Sequence, residues 1–214
     1  RRELGDTDSH ELALTLASFA AVRNGAGDVE EAHRLGAEAL DMARRLGDPA
    51  LITASLAYSA AIYPPEEFPE EHARFAAEIE RLCAADPSIG EELVGWRPWV
   101  LFAGVRVGLP ALFRFGRGGE VEALLAETRS RIGDSHNAVE QVMLHHRFTW
   151  VRATRGDASG ALEHGRQALE WAMQSQNLLI RVIGYGSRGW GLLNAGRFDE
   201  ALEHYYDDAE ISMQ

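Results

Sequence analysis

The sequence predicts an all-α fold, a right-handed α-solenoid of about five antiparallel helical hairpins. Three observations predict it. Apolar residues recur at helical rather than alternating spacing. One turn pattern recurs with a period of about 40 residues, the signature of stacked supersecondary units. No segment of the 214 residues reads as a strand.

The turn pattern reads Gly27-Asp28-Val29-Glu30-Glu31-Ala32, Phe68-Pro69-Glu70-Glu71-His72-Ala73, Gly118-Gly119-Glu120-Val121-Glu122-Ala123, Gly156-Asp157-Ala158-Ser159-Gly160-Ala161 and Gly196-Arg197-Phe198-Asp199-Glu200-Ala201. The closing alanines recur at nearly even intervals, with one longer step between Ala73 and Ala123. A glycine can take φ > 0 and end one helix. Asp28 and Asp157 then suit the N-cap of the next, with acids in its first turn toward the positive end of the macrodipole. The alanine is expected where two helices approach too closely for a larger side chain, with Gly36, Ala39, Gly165 and Ala168 continuing that seam.

Taken in order, helices are expected at about 9–23, 28–46, 49–63, 69–85, 90–115, 119–132, 136–155, 158–175, 177–195 and 198–211. Pro49 and Pro69 stand at helix starts, where a missing N–H costs nothing. Pro98 and Pro110 fall inside the fifth helix and predict a kink or break. The hairpins pair into repeats of roughly 9–47, 49–86, 90–133, 136–175 and 177–213, read as one repeat domain over 1–214. The chain begins at Arg1 rather than Met, as expected of a segment of a larger protein.

Composition narrows the function. Hydrophobic residues make up 46% of the chain and charged ones 25%, enough apolar surface for a core. The net charge of -12 disfavours direct binding to nucleic acid or to an anionic membrane. All 21 basic residues are arginine, which suits carboxylate and phosphate recognition as well as a GC-rich coding bias. One cysteine, Cys83, rules out an internal disulfide and reads as a small buried hydrophobe. No apolar run approaches the roughly 20 residues of a membrane span, and no signal peptide is evident, so a cytoplasmic location is expected.

The recurring turns resemble tetratricopeptide repeats of a longer-linker variety over nearly the whole chain. The last repeat is the most similar: Gly189, Ala201 and Tyr205 fall where the family has small, small and aromatic residues. The family's proline after the second helix is missing, and extra residues lie around Trp96–Pro110. The phrases Ala39-Leu40-Asp41-Met42-Ala43-Arg44-Arg45-Leu46-Gly47-Asp48-Pro49 and Gly95-Trp96-Arg97-Pro98-Trp99 are similar to helical regions of large bacterial regulators that carry ATPase, transcription-factor or nucleotidyl-cyclase modules. The resemblance implies that the first helix of each hairpin lines a concave groove. Carried over by register, it implies that Tyr58, His146, Trp150, Trp190 and Asn194 face the ligand.

Catalytic chemistry finds little support. There is no Gly-x-Ser-x-Gly elbow. A Walker phosphate loop is impossible without lysine. The glycines of Gly184-Tyr185-Gly186-Ser187-Arg188-Gly189 follow no strand and are expected to serve helix packing. His145 and His146 point about 100° apart on a helix and do not converge on a metal. His164 and His204 hold the same place in successive repeats and are expected to cap the same surface. No catalytic residue, metal or cofactor is therefore expected.

Charge points instead to binding. Acids crowd the second helices, whereas residues 178–197 carry Arg181, Arg188 and Arg197 without an acid, and 138–155 carry Arg147, Arg152 and Arg155 against Glu140 alone. A basic groove would focus an anionic ligand; the opposing reading pairs these arginines with neighbouring acids. Two registers compete for the groove, the Trp150–Trp190 face and an Arg181–Tyr185–Arg188 face with Gln141–His145–Thr149–Arg152. Trp96, Trp99 and Arg106 share a face of the fifth helix with Glu92. The expected function is a non-catalytic interaction or sensing domain of a bacterial regulator, holding an acidic peptide or protein partner. The alternative is a receptor for a small anionic effector. An uncapped terminal hairpin is compatible with a homodimer.

Overall fold

The computed structural model describes residues 7–63, 67–100 and 118–212. Ten whole α-helices, the start of a further helical stretch at Pro98 and no strand lie among the described residues. The chain divides into two compact units, 1–105 and 106–214.

The first unit holds α1 (His10–Gly25), α2 (Val29–Leu46), α3 (Pro49–Ile62), α4 (Pro69–Ala85) and the one-turn α5 (Glu91–Val94). Helix α1 packs on α2, and both pack on α3, which carries α4 and α5. Ser9 caps α1 by accepting from the Leu12 N–H, and Asp48 caps α3 with Pro49 in its first turn. The core gathers Leu12, Leu16, Leu35, Met42, Leu51 and Ile62. Each side chain of this size contributes about 1.5–3 kcal/mol when fully buried. Cys83 is buried. The expected break in the long fifth helix is present. Val94 ends α5, Gly95 takes φ 78°, and helical backbone resumes at Pro98. Pro110 lies outside the described residues.

The second unit holds α6 (Gly118–Ile132), α7 (Ala138–Thr154), α8 (Ala158–Ala172), α9 (Leu178–Asn194) and α10 (Phe198–Ser212). Helix α7 packs on α8, both pack on α9, and α9 carries α10. This repeats the connectivity of α1, α2, α3 and α4.

Three of the five turns have the same hydrogen bonds. Gly27, Gly156 and Gly196 have φ of 83°, 73° and 73°. In each, the next residue's N–H reaches back five residues: Asp28 to the Arg23 carbonyl at 3.0 Å, Asp157 to Arg152 at 2.9 Å, Arg197 to Leu192 at 3.0 Å. This closure requires a left-handed residue, which only glycine adopts without strain. Asp157 caps α8 by accepting from the Gly160 N–H. Asp28 makes no such bond, and its carboxylate pairs with Arg23 at 2.7 Å instead.

Ala32, Ala161 and Ala201 are each 0% exposed. Ala73 and Ala123 are exposed, contrary to the expected seam. Their places are taken by His72 and Val121, which are buried. His72 is tolerated there because its Nδ1–H donates to the Tyr63 carbonyl at the end of α3. The buried positions 32, 72, 121, 161 and 201 are evenly spaced at every step but the one from 72 to 121. The repeat is therefore more regular than its alanines suggest.

Helices α8 and α9 approach with backbone against backbone. A Cβ on Gly165 would lie 2.6 Å from the Ser187 carbonyl oxygen, and one on Gly191 would lie 2.8 Å from that of Ala161. Gly189 sits under the Tyr205 ring. The glycines of 184–191 thus serve helix packing at 184, 189 and 191, while Gly186 has open space.

Candidate functional site

In the second unit, α7 and α9 lie side by side and bring four expected residues together. The indoles of Trp150 and Trp190 stack with centroids 5.3 Å apart and planes 18° from parallel. His146, one turn before Trp150, meets that ring edge-on at 6.3 Å. Asn194, one turn after Trp190, donates Nδ2–H to the Trp190 carbonyl at 2.9 Å and stays exposed. Trp150 and Trp190 are one repeat apart, which makes their stack a consequence of the repeat: equal positions on adjacent first helices become neighbours.

His146 has a defined tautomer. Ser187 gives its one hydroxyl proton to the Ile183 carbonyl at 2.6 Å. The 2.8 Å contact between His146 Nδ1 and Ser187 Oγ must then run from Nδ1–H to the oxygen. Burial, reinforced by the Arg147 charge, pulls the imidazole pKa down to about 3. His146 is therefore neutral at pH 7, and its Nε2 carries a lone pair that can accept a hydrogen bond.

Arg147 follows His146 and precedes Trp150 by three residues, the spacing of one helix face. Its Nε is buried without a hydrogen-bond partner, and no acid pairs with its guanidinium among the described residues. Burial alone pulls its pKa down to about 10, which leaves it charged at pH 7. Arg147 as a whole is half-buried, and a partly desolvated cation without an anion is disfavoured. The buried Nε1–H of Trp190 likewise has no acceptor among the described residues. The face thus offers a cation, an aromatic platform, a spare donor and a neutral acceptor.

The other first-helix arginines behave differently. Arg152 pairs with Asp157 at 3.6 Å, Arg155 with Glu122 at 3.1 Å and Arg197 with Glu200. Arg188 turns to α8, its Nη1 donating to the Leu162 carbonyl at 3.4 Å, and burial lowers its pKa. It does not share the tryptophan face. Arg181 lies one turn before Tyr185, whose ring meets His204 of α10 at 6.0 Å, so its register leads away from the tryptophans. Its Nε is nonetheless buried without a partner. The competing register packs against the second helices. In it, His145 faces His164 with Nδ1 atoms 3.0 Å apart, and His164 stacks on Phe148 at 4.6 Å. Burial holds His145 at a pKa of about 4. His164 and His204 are both half-buried, each against the first helix of its hairpin, His164 at His145 and His204 at Tyr185.

In the first unit, Tyr58 meets Trp96 edge-on at 6.2 Å, both half-buried. Tyr58 does not occupy the register of His146. With His72 in the alanine position, the equivalent of His146 is Ala57, and Tyr58 corresponds to Arg147. Trp99 is 3% exposed, with the Arg97 guanidinium 5.5 Å from its ring, so it is a core side chain rather than a ligand platform. Arg106 lies outside the described residues. Sequence reading missed Ser187; nothing local marks a serine so far along the chain from the histidine it orients. No helix among the described residues is long and apolar enough to cross a membrane. In comparison with known proteins, the chain matches no family model, no curated sequence and no solved structure.

Proposed function

We propose that this chain is a non-catalytic binding module of tetratricopeptide-like architecture, a helical solenoid in a cytoplasmic regulatory protein, that holds an acidic segment of a protein partner on the α7–α9 face. Arg147 takes a carboxylate. The Trp150–Trp190 pair gives apolar area at low entropic cost. His146 Nε2 accepts, and Asn194 adapts at the rim. The observation that carries this reading is Arg147 itself. Three of its sister arginines pair with acids and a fourth donates to a carbonyl; Arg147 and Arg181 each keep a buried Nε without a partner among the described residues, and of these two Arg147 is the one on the helix that carries Trp150.

Titration calorimetry with a glutamate-rich peptide tests it. Arg147→Met should weaken binding about tenfold or more, because a hydrogen bond to a charged group contributes roughly 1.5–3 kcal/mol. Arg34→Met, on the solvated face of α2, should leave the affinity unchanged. Equal affinity for wild type and Arg147→Met removes the reading. The unpartnered Trp190 donor beside a lone arginine on α7 also suits a small anionic effector; saturable binding of a sugar phosphate or nucleotide but no peptide would favour that version.

A further inference from the structure

A second strip of α9, away from Trp190, carries charge that the described residues do not absorb. Arg181, Tyr185 and Arg188 stand four and then three residues apart, so they share one face of the helix. That face is turned toward the second helices: Arg188 reaches the Leu162 carbonyl of α8, and the Tyr185 ring meets His204 of α10. The preceding hairpin shows the same groove when the chain fills it. One repeat earlier, positions 181, 185, 188 and 204 are Gln141, His145, Phe148 and His164. Gln141 is 8% exposed and donates its Nε2–H to the Ser135 carbonyl at 2.7 Å. Phe148 is 6% exposed and stacks on His164, which also meets His145. Over α7 the groove is closed by stacked rings and a satisfied amide.

Over α9 the amide and the phenyl ring are replaced by two guanidinium groups. The remaining rings do not stack: Tyr185 and His204 lie 6.0 Å apart and are tilted by 48°. The Nε of Arg181 and the Nδ1 of His204 are buried without a hydrogen-bond partner. Neither Arg181 nor Arg188 pairs with an acid among the described residues, and Arg188 has only its long 3.4 Å bond to the Leu162 carbonyl. The carboxylates that act on Arg188, those of Glu163 and Glu200, are each held by another arginine, Arg166 and Arg197.

We propose that the groove between α8 and α10 is an anion site, separate from the Trp150–Trp190 face, in which Arg181 and Arg188 hold the two ends of a small molecule bearing linked phosphate groups, with Tyr185 and His204 along its middle. The two arginines are set about 10 Å apart along the helix. A lone carboxylate offers two oxygens, too few for two guanidinium forks and an imidazole. A chain of phosphates offers acceptors along its whole length and matches the bidentate geometry of arginine. The net charge of -12 repels an anion at long range, so binding rests on these short contacts.

Titration calorimetry of the whole chain with inorganic tripolyphosphate tests this. Wild type should bind it saturably. Arg181→Met and Arg188→Met keep an apolar stem and should each weaken binding about tenfold or more. Arg188→Lys keeps the charge and loses the fork; its affinity should fall between those of wild type and Arg188→Met, and it tests the site even where the methionine variant unfolds. Arg147→Met, on the other face, should bind tripolyphosphate as wild type does. Three results overturn the proposal. One is no saturable binding by wild type. Another is binding that survives both Arg181→Met and Arg188→Met but is lost in Arg147→Met, which moves the anion to the tryptophan face. The third is a glutamate-rich peptide that displaces tripolyphosphate from wild type and Arg147→Met alike, which assigns the groove to carboxylates.

Discussion

Replacing Gly165 by alanine should destabilise the protein relative to the same change at Gly186, although both lie within helices. Alanine is better than glycine inside a helix by about 1 kcal/mol. At Gly186 nothing lies within 4 Å of the added methyl, so the full gain should appear. At Gly165 the methyl would lie 2.6 Å from the Ser187 carbonyl oxygen and 3.2 Å from the Arg188 Cα. These are backbone atoms, which no side-chain rotation can remove. Helix α8 must retreat from α9, loosening Ala161, Ala168 and Ala172, each 0% exposed. Overpacking of this kind costs about 1–3 kcal/mol. The two variants should therefore differ by about 1–3 kcal/mol, or roughly 2–4 °C in melting temperature per kcal/mol for a chain of this size. Thermal denaturation followed by circular dichroism reads that gap. If Gly165→Ala melts at or above Gly186→Ala, the close approach of α8 and α9 is wrong.

Arg147→Met should leave stability unchanged or raise it, because an apolar side chain replaces a half-buried cation whose Nε has no partner among the described residues; urea denaturation at pH 7 checks this, and a clear loss would show that the guanidinium has a counterion. Acid should weaken the fold before the carboxylates titrate. His145 and His146 titrate near 4 and 3 when folded but near 6.5 when unfolded, so the unfolded chain binds more protons between these values. Their stability contribution is present above pH 6.5 and is lost as pH falls toward 4, at about 1.4 kcal/mol per pH unit for each fully responding histidine. His145→Gln should flatten the dependence between pH 6.5 and the folded value near 4, and an unchanged slope would contradict its burial against His164, Arg129 and Glu163. Leu56→Ala, at a side chain 0% exposed, should cost about 2–5 kcal/mol in denaturant titrations; a negligible loss would place Leu56 outside the core.

The parts of the fold legible in the sequence are those where one residue type has no substitute. Gly27, Gly156 and Gly196 are readable because the turn needs positive φ, and Pro98 because it cannot continue a helix. The seam at positions 72 and 121 was less legible. There a buried slot accepts histidine or valine as well as alanine, and the eye is drawn to Ala73 and Ala123 nearby. That slip of one residue placed Tyr58 in the register of His146. The tryptophan stack could be foreseen from the one-repeat spacing of Trp150 and Trp190, because equal positions on neighbouring first helices meet. The tautomer of His146 could not, since it depends on Ser187 and on the Ile183 carbonyl, a contact across two helices. The lone state of Arg147 was equally hidden. Sequence shows which arginines have acids nearby along the chain, but burial decides which of the others must find one.

The most direct measurement is on the Arg147 guanidinium. In a nitrogen-labelled sample, its Nε–H should give a resolved, slowly exchanging resonance, because the atom is secluded from water. Titration with a glutamate-rich peptide should move that resonance saturably, together with the Trp190 indole N–H, while exposed Arg34 stays in place. An Arg147 resonance that does not move at saturating peptide, or that moves equally with a lysine-free neutral peptide, would contradict the assignment of this face as an anion site.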